Sequence, residues 1–298
     1  MEQIVGRRSE LAVLDRLLAD KHGGRRLVLL AGGPGSGKTV LLEAAVATAE
    51  RQGLRVLRLR GSQADTGLSF AGLRQLLLPL LSDAGADDAG GDPDAGPGTD
   101  VPAATTDAGS ATDPAAADSG ATTATGPTPA AGSAATTGSG APAPALTAHQ
   151  RASLLGALGL GEAPGAGTLP VLVGALSLVT GAAAERPVLL AVDDLQWLDH
   201  ESLNALAFIL RRLGDEAVVA VATARAAELP EQFVRDFPRI DLAPLTETEA
   251  GELLDRQSAV PPTGHARTQI LRAAEGNPLA LVELARTAGR ARTPRSHL

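Results

Sequence analysis

The sequence has no cysteine and no tyrosine, one tryptophan, four phenylalanines and one methionine in 298 residues. Without cysteine, a disulfide scaffold and a thiolate zinc site are excluded. With aromatics at 2%, stacking on nucleic-acid bases is not expected as a main binding mode. Long apolar runs are missing too: no run reaches the ~18 residues of a membrane span, and Met1-Glu2-Gln3 does not open a signal peptide. A cytoplasmic protein is expected, with no membrane partner. Lysine is nearly absent: Lys21 and Lys38 stand against 24 arginines.

The net charge of −8 is local. Eight of the 34 acidic residues, all Asp, lie between 84 and 145, where there is no Glu, Lys or Arg. The other 26 acidic residues balance 26 basic ones, so the rest of the chain offers no basic nucleic-acid surface. Residues 84–145 are almost wholly Ala, Gly, Thr, Pro, Ser and Asp, and Val101 is their one apolar side chain beyond alanine. Ordering them would cost about 60–120 kcal/mol of backbone entropy, against roughly 1.5–3 kcal/mol returned by one buried valine. A disordered, weakly acidic insert is predicted.

Short apolar runs alternate with amphipathic ones on either side of the insert. Leu27–Ala31 and Val188–Val192 read as apolar strands buried on both faces, Leu54–Leu59 and Ala217–Ala222 as further strands, and Ile240–Leu242 as a last short one. Helices are expected from a Ser9 cap to Gly23-Gly24, then over Thr39–Glu50, Ser69–Leu81 (closed near Pro79), Thr147–Leu160, Leu169–Thr180 and Ser202–Leu213. This alternation predicts a three-layer α/β fold with a parallel sheet covered on both sides. Beyond it, Thr246 with Glu249 forms a capping box for a helix to Arg256. Helices over Arg267–Ala274 and from Gly276-Asn277-Pro278 to about Arg286 complete a small helical unit. The expected domains are 1–83 and 146–245 for the sheet, 84–145 for the insert, 246–286 for a helical lid and 287–298 for a frayed tail.

Gly32-Gly33-Pro34-Gly35-Ser36-Gly37-Lys38-Thr39 matches the P-loop pattern in full, between a strand and a helix that begins with Thr39 and Val40. Glycines let successive peptide N–H groups wrap phosphates, and the helix adds the positive end of its dipole. Lys38 is expected on the β- and γ-phosphates and Thr39 on Mg²⁺. The alternative is a flexible glycine-rich turn; a dinucleotide fingerprint is excluded, because lysine takes the place of its third glycine. Val188–Asp194 is an apolar strand ending in two acids. Asp193 is expected on Mg²⁺ and Asp194 on the attacking water, the alternative being a strand end closed by an Asx-turn. A third strand ends in Thr223-Ala224-Arg225. Thr223 is placed to orient water and Arg225 to reach the γ-phosphate, unless Arg225 merely begins a surface loop.

Together these residues resemble the signal-transduction ATPases with numerous domains, and more narrowly the ATPase module of large LuxR-type, MalT-like bacterial transcriptional regulators. The resemblance runs from Val5 to about Ala285. Its more specific markers are Asp193-Asp194-Leu195-Gln196-Trp197-Leu198-Asp199 and Gly276-Asn277-Pro278-Leu279-Ala280, supported by Val5-Gly6-Arg7 with Glu10-Leu11 and by Ser69-Phe70-Ala71. It implies a P-loop NTPase fold of the AAA-like type and a switch that binds ATP or ADP with Mg²⁺ and hydrolyses slowly. It also implies that Val5, Gly6 and Arg7 lie along adenine, that Asn277 and Pro278 approach the nucleotide from the lid, and that Arg225 senses the γ-phosphate. Such regulators respond to an inducer ligand or a partner protein and self-associate with ATP. Their DNA-binding helix-turn-helix lies beyond the segment matched here, so DNA contact is expected only through a region outside this chain. Read without the resemblance, Trp197 is a core or helix-cap packing residue, Asp199 a helix N-cap, and Arg211 and Arg212 a solvated helix end. A non-hydrolysing nucleotide-dependent scaffold and an oligomeric replication-initiator-like ATPase remain as alternatives.

Overall fold

The computed structural model describes residues 4–20, 26–87, 146–162, 167–228, 233, 237–257 and 261–292. Five strands form one sheet: β1 (Arg26–Gly32), β2 (Arg55–Arg60), β3 (Val188–Asp193), β4 (Val218–Arg225) and β5 (Arg239–Asp241). Their order is β2-β3-β4-β1-β5 and every pairing is parallel. Side chains alternate between two faces, as strand geometry dictates. On one face Leu27 and Leu29 of β1, Val188, Leu190 and Val192 of β3, and Val218, Ala220 and Ala222 of β4 join one core. On the other face Val28, Leu30, Leu189, Ala191, Val219 and Val221 join a second. Both faces are therefore dry, which is why these strands read as continuous apolar runs.

The second core is closed by α1 (Arg8–Ala19) and α2 (Lys38–Arg51), through Leu14, Leu18, Leu41, Leu42 and Val46. The first is closed by α3 (Ala71–Asp87), α4 (Ala148–Ala157), α5 (Thr168–Glu185) and α6 (His200–Arg212). Three further helices, α7 (Glu247–Gln257), α8 (Gly264–Ala274) and α9 (Pro278–Arg292), bury Leu245, Leu254, Ile270 and Leu281 among themselves. The α/β P-loop architecture with a small helical lid follows directly from these contacts.

Several expected boundaries move. Helix α3 does not close at Pro79 but continues to Asp87, so residues 84–87 are helical rather than part of the insert. Pro79 deprives only the Gln75 carbonyl of its donor, on an exposed side of the helix, while Leu76, Leu77 and Leu80 hold both halves to the core. Helix α1 starts at Arg8 without a side-chain cap from Ser9 and ends at Ala19; Gly23-Gly24 lie outside the described residues. Helix α9 continues past Arg286 to Arg292, so part of the expected tail is helical. Residues 88–145, the bulk of the insert, and 293–298 also lie outside the described residues. Helix α5 has the length and mean hydropathy of a membrane span (18 residues, 1.5), which corrects the expectation that no segment does. Val171, Ala175, Val179 and Ala182 place one side of it in the first core.

Candidate functional site

Register brings the site together. Gly32 at the end of β1 pairs with Arg225 at the end of β4, and Val192 pairs with Ala222, which sets Asp193 beside Thr223. The carboxyl ends of β1, β3 and β4 thus meet where the loop Gly32–Gly37 turns into α2. Gly35 and Gly37 take φ of 73° and 93°, the left-handed region that a side chain disfavours. A Cβ on Gly35 would sit 2.7 Å from Asn277 Oδ1 and from Leu279 Cβ, because the lid rests on the loop.

A cleft of about 620 Å³ opens between the loop and the lid. Pro34 through Val40 line its floor, with Asp194, Trp197 and Arg225 at one end. Ile4, Val5, Leu245, Leu253, Leu279 and Val282 give it an apolar wall, and Arg256, Gln257, Glu283 and Arg286 a polar rim. The Lys38 side chain is buried, and its Nζ donates to the carbonyls of Gly32 and Gly33 at 3.1 and 2.8 Å. Burial pushes its pKa down; Asp194 opposes that shift, Arg225 deepens it and Asp193 again opposes it.

The acidic pair is held differently at each member. Asp193 is buried and accepts from the Thr39 hydroxyl at 3.1 and 3.2 Å and from the Thr223 hydroxyl at 2.6 Å. Thr223 is fully buried, and its oxygen also accepts the Asp194 peptide N–H at 2.9 Å. Its one hydroxyl proton goes to Asp193, so Thr223 braces the pair from behind and does not line the cleft, contrary to the expectation that it orients water. Asp194 adopts φ 53°, ψ 54°, a left-handed conformation costing about 1 kcal/mol, which turns its carboxylate out of the strand line. Arg225 pairs with Glu228 at 3.0 Å and lies 4.5 Å above the Trp197 ring.

The remaining expected residues divide. Val5, Arg7 and Pro278 line the cleft; Gly6, Gly32, Gly33 and Asn277 do not. Gly6 faces the lid, where a Cβ would meet Leu245 and Glu249 at 2.7 and 2.8 Å. The buried Arg7 guanidinium clamps the loop, donating to Ser36 O at 3.1 Å and Ala243 O at 2.8 Å while pairing with Glu10 at 3.1 Å. Asn277 donates to Pro34 O at 2.9 Å and caps α9 by accepting from Leu279 and Ala280. Trp197 lies on the cleft wall, not in the core. The rim residues of α7 and α9 carry no signal in the sequence, since which way a lid helix faces depends on how the lid docks; Gln196 belongs to a marker run, but its two partners depend on the turn that follows β3.

The donor set suits a triphosphate with a hard divalent cation. Ser36 Oγ is buried in the loop without a partner among the described residues, an orphan that a phosphate oxygen would satisfy. Thr39 and Asp193 offer the hydroxyl and carboxylate oxygens that Mg²⁺ prefers. The AAA ATPase domain profile matches residues 3–221.

The chain belongs to the AAA ATPase domain family. Among solved structures it is similar to DnaA from Aquifex aeolicus bound to AMPPCP, at 11% identity and a TM-score of 0.46, covering 98% of this chain and 63% of that one. It is also similar to a signal transduction ATPase with numerous domains from Pyrococcus horikoshii, which carries a tetratricopeptide repeat sensor. Identity there is 15% and the TM-score 0.48, over 94% of this chain and 29% of the other. A third is PCH-2 from C. elegans, at 13% identity and 0.43, over 96% of this chain and 62% of that one. The chain thus spans less than two thirds of each of these three proteins. No curated protein matches it.

Proposed function

We propose that this AAA ATPase module binds ATP in the cleft between the P-loop, the acidic pair and the lid, and hydrolyses it slowly to reset a conformational state. The observation that carries this reading is the buried Lys38 ammonium, pressed on loop carbonyls with its pKa pushed down, opposite Asp193 and Asp194. A cation held at such a cost is stabilised when an anion enters. Peptide N–H groups of residues 33 and 35–39 cradle the phosphates, and Lys38 moves from the loop carbonyls to them. Thr39 and Asp193 would hold Mg²⁺, which when bound would neutralise charge on the phosphate oxygens. Asp194 orients water and accepts its proton, and Arg225 exchanges Glu228 for the γ-phosphoryl oxygens. Val5, Arg7 and Pro278 border the base and ribose; Gly6 and Asn277 act at one remove, by docking the lid.

The finer reading is a switch module of a LuxR-type, MalT-like transcriptional regulator in the cytoplasm. The runs Asp193–Asp199 and Gly276–Ala280 support it. Residues 1–83 and 146–245 then form the nucleotide domain, 84–145 an insert and 246–286 the lid, with an inducer or partner protein setting the state. Calorimetry with Mg²⁺ and ATP tests the core of the proposal. Wild-type binding lost at least tenfold in Lys38→Ala is expected, with phosphate release abolished in Asp194→Ala. Absence of binding by the intact chain, or binding untouched by Lys38→Ala, overturns it. Binding with no phosphate release by the wild type points instead to a nucleotide-dependent scaffold.

A further inference from the structure

The single helical turn Leu195–Trp197 carries a side chain to which the reading above gives no task. Gln196 meets two partners of opposite kind. Its Nε2 donates to Asp194 Oδ1 at 3.0 Å, and its Oε1 accepts the Arg225 peptide N–H at 3.1 Å. A carboxylate only accepts and a peptide N–H only donates, so the amide has one orientation that serves both. Among the described residues no other side chain hydrogen-bonds the Asp194 carboxylate. The turn is anchored beneath by Leu195, which is fully buried, and closed by the Trp197 N–H on the Asp194 carbonyl at 2.9 Å. It is also pressed from the β2 side: a Cβ on Gly61 would lie 2.2 Å from the Asp194 carbonyl oxygen. The turn therefore has little room to move, and its next residue, Trp197, lies under the Arg225 guanidinium.

The geometry points to Gln196 as a positioning residue for phosphoryl transfer. It ties the carboxylate that handles water to the strand end that carries the γ-phosphate-sensing arginine. One amide thereby fixes the groups acting on the two sides of the terminal phosphate, and Trp197 is the platform on which the guanidinium rests while it is paired with Glu228. This inference rests on the ATPase reading above, and its test separates the two.

Two variants divide the bridge. Gln196→Leu removes both hydrogen bonds at similar volume. Gln196→Glu keeps an acceptor for the Arg225 N–H and sets a second carboxylate against Asp194. Both are expected to lower kcat by about 10- to 100-fold while ATP affinity stays within about twofold. Trp197 is the only tryptophan, so acrylamide quenching in the nucleotide-free full chain reports the turn directly. Quenching is expected to rise in Gln196→Leu and to remain at the wild-type level in Gln196→Glu, which retains the tie to β4. Wild-type turnover in Gln196→Leu overturns the inference, as does unchanged quenching. Equal losses of affinity and turnover overturn it too, since they describe a structural role. If the wild type does not bind Mg²⁺ and ATP, the functional reading fails, and the quenching arms still decide whether the bridge exists.

Discussion

Asp199 offers the most demanding test of how the site is held. Its carboxylate is buried, 2% exposed, and accepts three peptide N–H groups. Oδ1 takes those of Phe70 at 2.8 Å and Ser202 at 2.9 Å, and Oδ2 takes that of Gly72 at 3.0 Å. The Ser202 hydroxyl adds a bond from the Leu73 N–H at 2.7 Å. One residue thus caps α6 and clamps the start of α3, which precedes it by more than 120 residues. A plain N-cap tolerates asparagine, because Asn and Asp are equivalent there. The clamp does not. In Asp199→Asn the amide oxygen keeps Phe70 and Ser202, and its NH₂ then faces the Gly72 N–H, donor against donor. One charge-assisted bond is lost and a buried N–H is stranded, so about 2–4 kcal/mol is expected to go. In Asp199→Ala three donors are stranded, for on the order of 5 kcal/mol. Urea unfolding followed by circular dichroism measures both, and the Asn variant should melt roughly 5–15 °C lower. An Asn variant within about 0.5 kcal/mol of wild type would show that Asp199 acts only as an N-cap.

The lid gives two further tests. Asn277→Ala removes both the α9 cap and the bond to Pro34 O, for about 2 kcal/mol, whereas Asn277→Asp keeps the cap but sets an acceptor oxygen against the exposed Pro34 O, for about half as much. Thermal unfolding ranks the two, and equal losses would refute this division. The capping box of α7 makes lid stability depend on acid. The Thr246 N–H and hydroxyl both donate to Glu249, at 2.9 and 2.7 Å, and hold its pKa below the usual glutamate range. The folded lid therefore takes up that proton less readily than the unfolded chain. This stabilisation is complete above the usual glutamate range and is lost as pH falls through the lowered folded value. Thr246→Ala should cost about 1 kcal/mol at neutral pH and flatten that acid limb in urea titrations between pH 7 and 3.

What the sequence makes legible is whatever is local in the chain. Strands β1, β3 and β4 declare themselves by apolar runs, because each is covered on both faces. The P-loop declares itself because its glycines and Lys38 serve one turn, and the box at Thr246 because cap and partner lie three residues apart. What stays hidden is set by convergence. Thr223 reads as a polar residue at a strand end facing a ligand, yet its hydroxyl is spent between Asp193 and Asp194, a fact that depends on the register of β3 against β4. By resemblance Arg7 is expected to lie along adenine, yet its guanidinium reaches Ala243, 236 positions away. Trp197 reads as core because a lone tryptophan near a helix start usually is. It reaches the cleft because Asp194 takes a left-handed conformation and redirects the turn that follows. That backbone kink turns Asp194, Gln196 and Trp197, three of four consecutive residues, into a carboxylate, an amide bridge and an aromatic platform. The kink can persist because Thr223 holds the Asp194 N–H from behind and Gly61 leaves room for its carbonyl. A side chain at Gly61 would have to push Asp194 and Trp197 out of this conformation, so Gly61→Ala, although Gly61 does not itself line the cleft, should abolish phosphate release by displacing two residues that do.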